Sequence, residues 1–170
     1  HDGTTPDERA IDNLVNSGTG RAVSVAAGNE GDSSIHARGT VPAGGSLTMD
    51  FNVNGAAYVV DLYQKNSDRF NVTVTSPDGI VLGPVAYDAN GFSLPNGQAS
   101  NQYLSLYNAN DDKGDSDPSN DQPDIVLLFN PGAPDGMWKI KLDDADANPN
   151  QDFDAWSEGV GVYFSTHVDQ

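Results

Sequence analysis

The 170-residue chain contains no cysteine. That excludes disulfides, thiolate catalysis and zinc sites built on Cys. Cations are scarce too: eight Lys and Arg stand against 25 Asp and Glu, a formal net charge of −17. Such a surface repels phosphate backbones and anionic headgroups, so neither nucleic acid nor membrane insertion is expected. Long apolar runs are also missing. The longest, IVLLF at 125–129, falls far short of a bilayer span. Glutamate is nearly absent, at three (Glu8, Glu30 and Glu158) beside 22 Asp. Glu builds helices, whereas Asp favours caps and turns and ligates hard cations. The acids therefore predict a loop-rich β protein with calcium as its possible cofactor, a saline habitat being the plain alternative reason for the charge. There is no initiator Met and no signal peptide, so a piece of a longer polypeptide is expected.

What is present is turn chemistry and clustered apolar residues. The chain has 18 Gly and 10 Pro, and its 36% of hydrophobic residues gather in short runs. One helix is predicted, in TTPDERAIDNLVNSG. Thr5 caps it, Pro6 opens it, Glu8 completes a capping box, and Ala10/Leu14 and Ile11/Val15 form one apolar face before Gly18. RAVSVAA follows, apolar enough for a strand covered on both faces, as in a parallel sheet. From about residue 39 the pattern changes to SLTMDFNV, AAYVVDLY, RFNVTVTSPDGIVLGPVA, QYLSLYN, DIVLLFN, MWKIKL and GVGVYFS. Roughly eight strands separated by Gly, Pro, Asn and Asp predict a mainly β fold, a jelly-roll-like antiparallel sandwich. Ser76-Pro77-Asp78-Gly79 reads as a hairpin turn. Two units follow from this: residues 1–38, a helix and one strand of α/β character, and residues 39–168, the sandwich.

The apolar strand ends in Gly28-Asn29-Glu30-Gly31. A side-chain amide held at the carboxyl end of a strand in an open sheet can donate to a developing oxyanion; the plain alternative is a tight turn. The run VSVAAGNEGD resembles the oxyanion-hole segment of subtilisin-like serine proteases (subtilases), and DGTTPDERAIDNLVNSGTGR resembles the helix before it. GTVPAGGSLTMDFNV, SDRFNVTVTSPDG and GMWKIKLDD…FDAW…VYF look like parts of the β-sandwich inserted after this strand in some bacterial subtilases. The last also resembles the closing strands of the convertase P-domain. The resemblance implies that Asn29 is the oxyanion donor of a secreted serine endopeptidase. It implies as partners the remainder of that protease and a protein or peptide substrate. The triad contexts of the family (Asp-Ser/Thr-Gly, His-Gly-Thr and Gly-Thr-Ser) do not occur, nor does a Gly-x-Ser-x-Gly elbow. An oxyanion donor without nucleophile and base cannot carry acyl transfer, so the chain alone is not expected to be a protease.

Two segments concentrate hard oxygen donors. NANDDKGDSDPSNDQPD carries Asp111, Asp112, Asp115, Asp117 and Asp121, with Asp124 closing it. DDADANPNQDFD offers Asp144, Asp146, Asn148, Asn150 and Asp152 at alternate positions. Close carboxylates repel unless a cation or water lies between them, and calcium takes six to eight such oxygens. The alternative is two solvated polar loops. Trp138 and Trp156 are expected in the core. Tyr58, Tyr63, Tyr87, Tyr103, Tyr107 and Phe92 are candidates for an exposed aromatic face. Such a face would suit a second reading of the sandwich, a carbohydrate-binding module with polysaccharide as its partner.

Overall fold

The computed structural model describes residues 6–24, 34–55, 59–64, 68–88, 97–110, 123–149, 151–158 and 162–164. Among these residues one helix, α1 (Pro6–Asn16), precedes eleven strands. These are β1 (His36–Val41), β2 (Ser46–Val53), β3 (Val59–Gln64), β4 (Phe70–Thr75), β5 (Val81–Val85), β6 (Gln98–Ser100), β7 (Leu104–Asn110), β8 (Pro123–Phe129), β9 (Gly136–Asp144), β10 (Gln151–Glu158) and β11 (Val162–Phe164). They form two sheets, ordered β1-β10-β3-β8-β7-β6 and β11-β2-β9-β4-β5.

Every strand pairing is antiparallel, and the pairs nest from the outside inwards. β1 pairs with β10, β2 with β9, β3 with β8 and β4 with β5. A long hairpin folded over on itself and wrapped into two layers gives this order, which is the jelly roll expected from the sequence. β6 and β7 extend one sheet beyond β8, and β11 caps the other at β2. The extra strands are β1, β6 and β10. They escape the pattern because HARGTV and QDFDAWSE carry polar or charged residues on their outer faces, and QAS is only three residues long.

Period-two alternation places the core. In β3, Val60 and Leu62 point inwards; in β8, Ile125 and Leu127; in β2 and β9, Met49, Phe51, Trp138, Ile140 and Leu142, all essentially without exposure. Edge-to-face aromatic pairs hold the layers together: Phe129 on Trp138 at 5.1 Å between centroids, and Phe70 on Phe153 at 6.4 Å. The Trp138 indole N–H finds the Pro134 carbonyl at 3.0 Å, so its burial leaves no orphaned donor.

The hairpin turn forms where expected. Gly79 N–H donates to the Ser76 carbonyl and Ser76 N–H to the Ile80 carbonyl, both at 2.9 Å. Gly79 takes the positive φ, +86°, that a three-residue hairpin loop requires. Trp156 departs from expectation. It lies on the outer face at 43% exposure, because Phe153 and Ala155 of the same strand are buried and parity sends residue 156 the other way.

α1 forms over the predicted span, and the Ser17 hydroxyl bonds the Leu14 carbonyl at its end. Its apolar face is uncovered: Ala10, Ile11, Leu14 and Val15 are all exposed. Residues 21–24 form no strand and are exposed, contrary to the expectation for RAVSVAA; the rest of that run lies outside the described residues. A strand buried on both faces needs flanking strands for its N–H and C=O groups, and both sheets among the described residues are built without residues 21–24.

Candidate functional site

The alternation of strand direction collects one set of strand ends together: the ends of β3, β5, β7 and β9 with the starts of β4, β8 and β10. Polar residues replace apolar ones on the inward positions there. Gln64, Asp68, Asp88, Asn108 and Gln151 are all buried, at 0–7% exposure. Asn108 donates from Nδ2 to the carbonyls of Phe70 and Val85, each at 2.8 Å, and so ties β7 to the facing sheet.

The centre of this polar end is the β9–β10 connection. Asp144 Oδ1 accepts from the N–H groups of Asp146 (3.0 Å) and Ala147 (2.9 Å) and from Gln151 Nε2 (2.8 Å); its Oδ2 accepts from Gly44 N–H. Gln151 Nε2 also donates to Asp146 Oδ1. Asn148 donates to both oxygens of Asp146, from its N–H at 3.2 Å and from Nδ2 at 2.9 Å. The Asp144 carboxyl is held below its usual range first by the Gly44 N–H, with burial opposing, and then by the N–H groups of Asp146 and Ala147 and the Gln151 amide.

Of the residues singled out in the sequence, the structure thus brings Asp144, Asp146 and Asn148 together. Asp152 stands apart. It lies on the opposite face of β10 from Gln151 and accepts from Thr40 Oγ1 at 2.7 Å. Alternate spacing in a loop becomes alternate faces only once the strand begins, and β10 begins at Gln151. Gln151 itself went unnoticed in the sequence, although its parity with Phe153 and Ala155 marks it as inward. Asn29, Asp111, Asp112, Asp115, Asp117, Asp121 and Asn150 lie outside the described residues. Among the described residues no three His, Asp or Glu side chains gather around one point.

A second feature covers the outer face of the six-stranded sheet. The His36 ring stacks on Trp156 at 4.0 Å, and its Nε2 lies 2.9 Å from Asp154 Oδ1. Register places Tyr63 beside Asp154, and Asp61 beside Trp156. His36 is the only described histidine and no serine hydroxyl bonds it, so no Ser-His pair forms among the described residues. Tyr103 and Tyr87 are engaged elsewhere: Tyr103 bonds Asp78, and the Arg69 guanidinium sits 4.1 Å over the Tyr87 ring. Tyr58 and Phe92 lie outside the described residues. A cleft of about 520 Å³ beside β5 and β6 is lined by Pro84, Tyr87, Asp88, Gly97 and Gln98 among others. Its described lining offers one carboxylate, Asp88, and one phenol, Tyr87.

No family profile matches the chain, and no curated protein sequence matches it. Among solved structures it is similar to the CspB protease of Clostridium perfringens, with a TM-score of 0.71 and 21% identity over 97% of this chain. The match takes in 34% of that protease, so the chain spans about a third of its length. At this identity the likeness is one of fold. No helix among the described residues is long and apolar enough to cross a membrane.

Proposed function

We propose that this chain is the non-catalytic part of a secreted subtilisin-like serine endopeptidase, comprising the oxyanion-hole segment and an accessory jelly roll. The observation that carries the reading is the fold likeness to a protease over 97% of the chain, helix segment included, taken with the Ala27-Gly28-Asn29-Glu30-Gly31 run. The bare apolar face of α1 supports it: Ile11 and Leu14, 44% and 52% exposed, are placed to pack on a catalytic core that other parts of the protease supply. In that enzyme Asn29 donates to the tetrahedral oxyanion, and the Asp, His and Ser of the triad come from outside this chain. The jelly roll leaves the core directly after the oxyanion loop, which sets it beside the substrate cleft to anchor or select substrate. The test uses the whole protease. Asn29→Ala should lower kcat by about 10²–10³ with KM nearly unchanged, the range for loss of one oxyanion donor. An unaltered kcat would end the proposal. Removal of residues 40–165 should change the ratio of cleavage rates on large and small substrates; identical profiles would reject the selecting role.

The outward Trp156 favours a second reading of the sandwich, as a carbohydrate-binding surface. Trp156 shares its face with Tyr63, Asp61 and Asp154, a mixture of ring and carboxylate suited to stacking on a sugar and bonding its hydroxyls. Binding of the isolated chain to polysaccharide, lost in Trp156→Ala, would establish it.

A further inference from the structure

The polar end holds an amide that no orientation satisfies. Gln151 is fully buried, and as placed its Nε2 donates to Asp144 Oδ1 and Asp146 Oδ1 while its Oε1 has no hydrogen-bond partner. Amide nitrogen and oxygen have the same shape. Turning the amide over brings Oε1 against the two carboxylate oxygens, three acceptors converging with no proton between them. That arrangement is repulsive alone and favourable around a cation.

An adjacent residue has the same difficulty. Gln64 is 2% exposed, and neither its Nε2 nor its Oε1 has a hydrogen-bond partner. It points inwards from β3 opposite Phe153 of β10, one step along the same inner face from Gln151. A buried polar atom with no partner costs several kcal/mol in an apolar setting, so the Gln151 amide oxygen and the whole Gln64 amide, on neighbouring strands at the same end of the sandwich as Asp144 and Asp146, call for a ligand.

We propose that Asp144, Asp146, Gln151 and Gln64 form a calcium site that joins the β9–β10 connection to the end of β3. The donors are all hard oxygens, two carboxylate and two amide, with no imidazole or thiolate among them, which selects calcium over zinc or copper. Calcium accepts the irregular coordination that donors from a loop and two strands offer, and magnesium does not. The net charge of −17 raises the local cation concentration around it. The site is independent of the protease reading and stands or falls on binding by the chain itself.

The experiment uses the full chain stripped with chelator and titrated with CaCl₂, followed by calorimetry and by thermal unfolding. Saturable binding and a raised Tm are expected. Asp146→Asn and Gln151→Leu should each weaken binding by at least about tenfold, as loss of a ligand does. Gln151→Glu distinguishes a cation site from a hydrogen-bonded one. It should tighten binding, and it should unfold earlier than the parent chain in chelator but not in calcium. The proposal is overturned by absence of saturable binding, by affinity unchanged in both Asp146→Asn and Gln151→Leu, or by a Gln151→Glu defect that calcium does not relieve.

Discussion

The Tyr103 hydroxyl donates a 2.7 Å hydrogen bond to Asp78 Oδ2, and so links the turn before β7 in one sheet to the β4–β5 turn in the other. The link lies at the end of the sandwich opposite Gln151. The Asp78 carboxyl is held below its usual 3.8, first by the Ser76 hydroxyl and then by Tyr103, while the Tyr103 phenol is raised above 10.0 by Asp78. The signs give two limits. The carboxylate contributes stability above its unfolded value and loses it as pH falls through the lowered folded one. The phenol contributes below its unfolded value and loses it as pH rises through the raised folded one. Tyr103→Phe should therefore lower Tm on the neutral plateau, and the difference from the parent chain should shrink at both the acid and the alkaline limit. A pH series of melting curves checks this; a difference constant with pH would refute the link.

The two tryptophans should separate sharply. Trp138 is buried at 1% exposure and packs edge-on against Phe129 and Tyr103. Trp138→Ala should cost about 3–5 kcal/mol, the range for emptying a core aromatic site. Trp156 rests on His36 with one side in solvent, and Trp156→Ala should cost less than about 1 kcal/mol. Urea unfolding of the two variants measures the contrast.

Gly83 is required by its backbone. Its φ is +107°, and an added Cβ would fall 2.4 Å from the Val72 carbonyl oxygen. The β4–β5 register shifts at this point, Val74 pairing with Leu82 but Val72 with Val85, so the extra residue of a β-bulge sits against the neighbouring strand. Gly83→Ala should destabilise the chain by at least about 2 kcal/mol, strain and clash together. Denaturant midpoints at unchanged m-value would show it.

The bare face of α1 gives a prediction with opposite outcomes in two settings. Leu14 is 52% exposed, so Leu14→Asp should leave the unfolding of the chain alone within about 0.5 kcal/mol. If the chain is part of a protease as proposed, the same change in the whole enzyme should destabilise it or block its assembly, since a charge would then be buried without a partner. Equal indifference in both settings would count against a docking role for α1.

Much of the fold was legible because β-sandwich cores announce themselves by alternation. SLTMDFNV and RFNVTV put their apolar residues on one parity, MWKIKL does so with Trp138, Ile140 and Leu142 while Met137 faces out, and each is a strand with that face inwards. Ser76-Pro77-Asp78-Gly79 was legible as a turn because Pro and Gly encode their dihedrals locally. β10 was not: QDFDAWSE mixes carboxylates with aromatics, and only the facing sheet, where Phe70 meets Phe153, buries its inward face. The same blind spot put Trp156 in the core and passed over Gln151.

The acid-rich 144–152 stretch shows the division within one segment. Its composition alone marks it as a polar connection with hard oxygen donors. Which donors face one another was decided by the sandwich, since the start of β10 turns Gln151 inwards to Asp144 and Asp146 and sends Asp152 out to Thr40. Local residues determine dihedrals and which face is apolar, so the helix, most strands and the hairpin turn were written in the chain. Convergence of groups far apart in sequence, such as the Asn108 amide with the Phe70 and Val85 carbonyls, depends on strand order and register, which exist only once both sheets have closed on their common core.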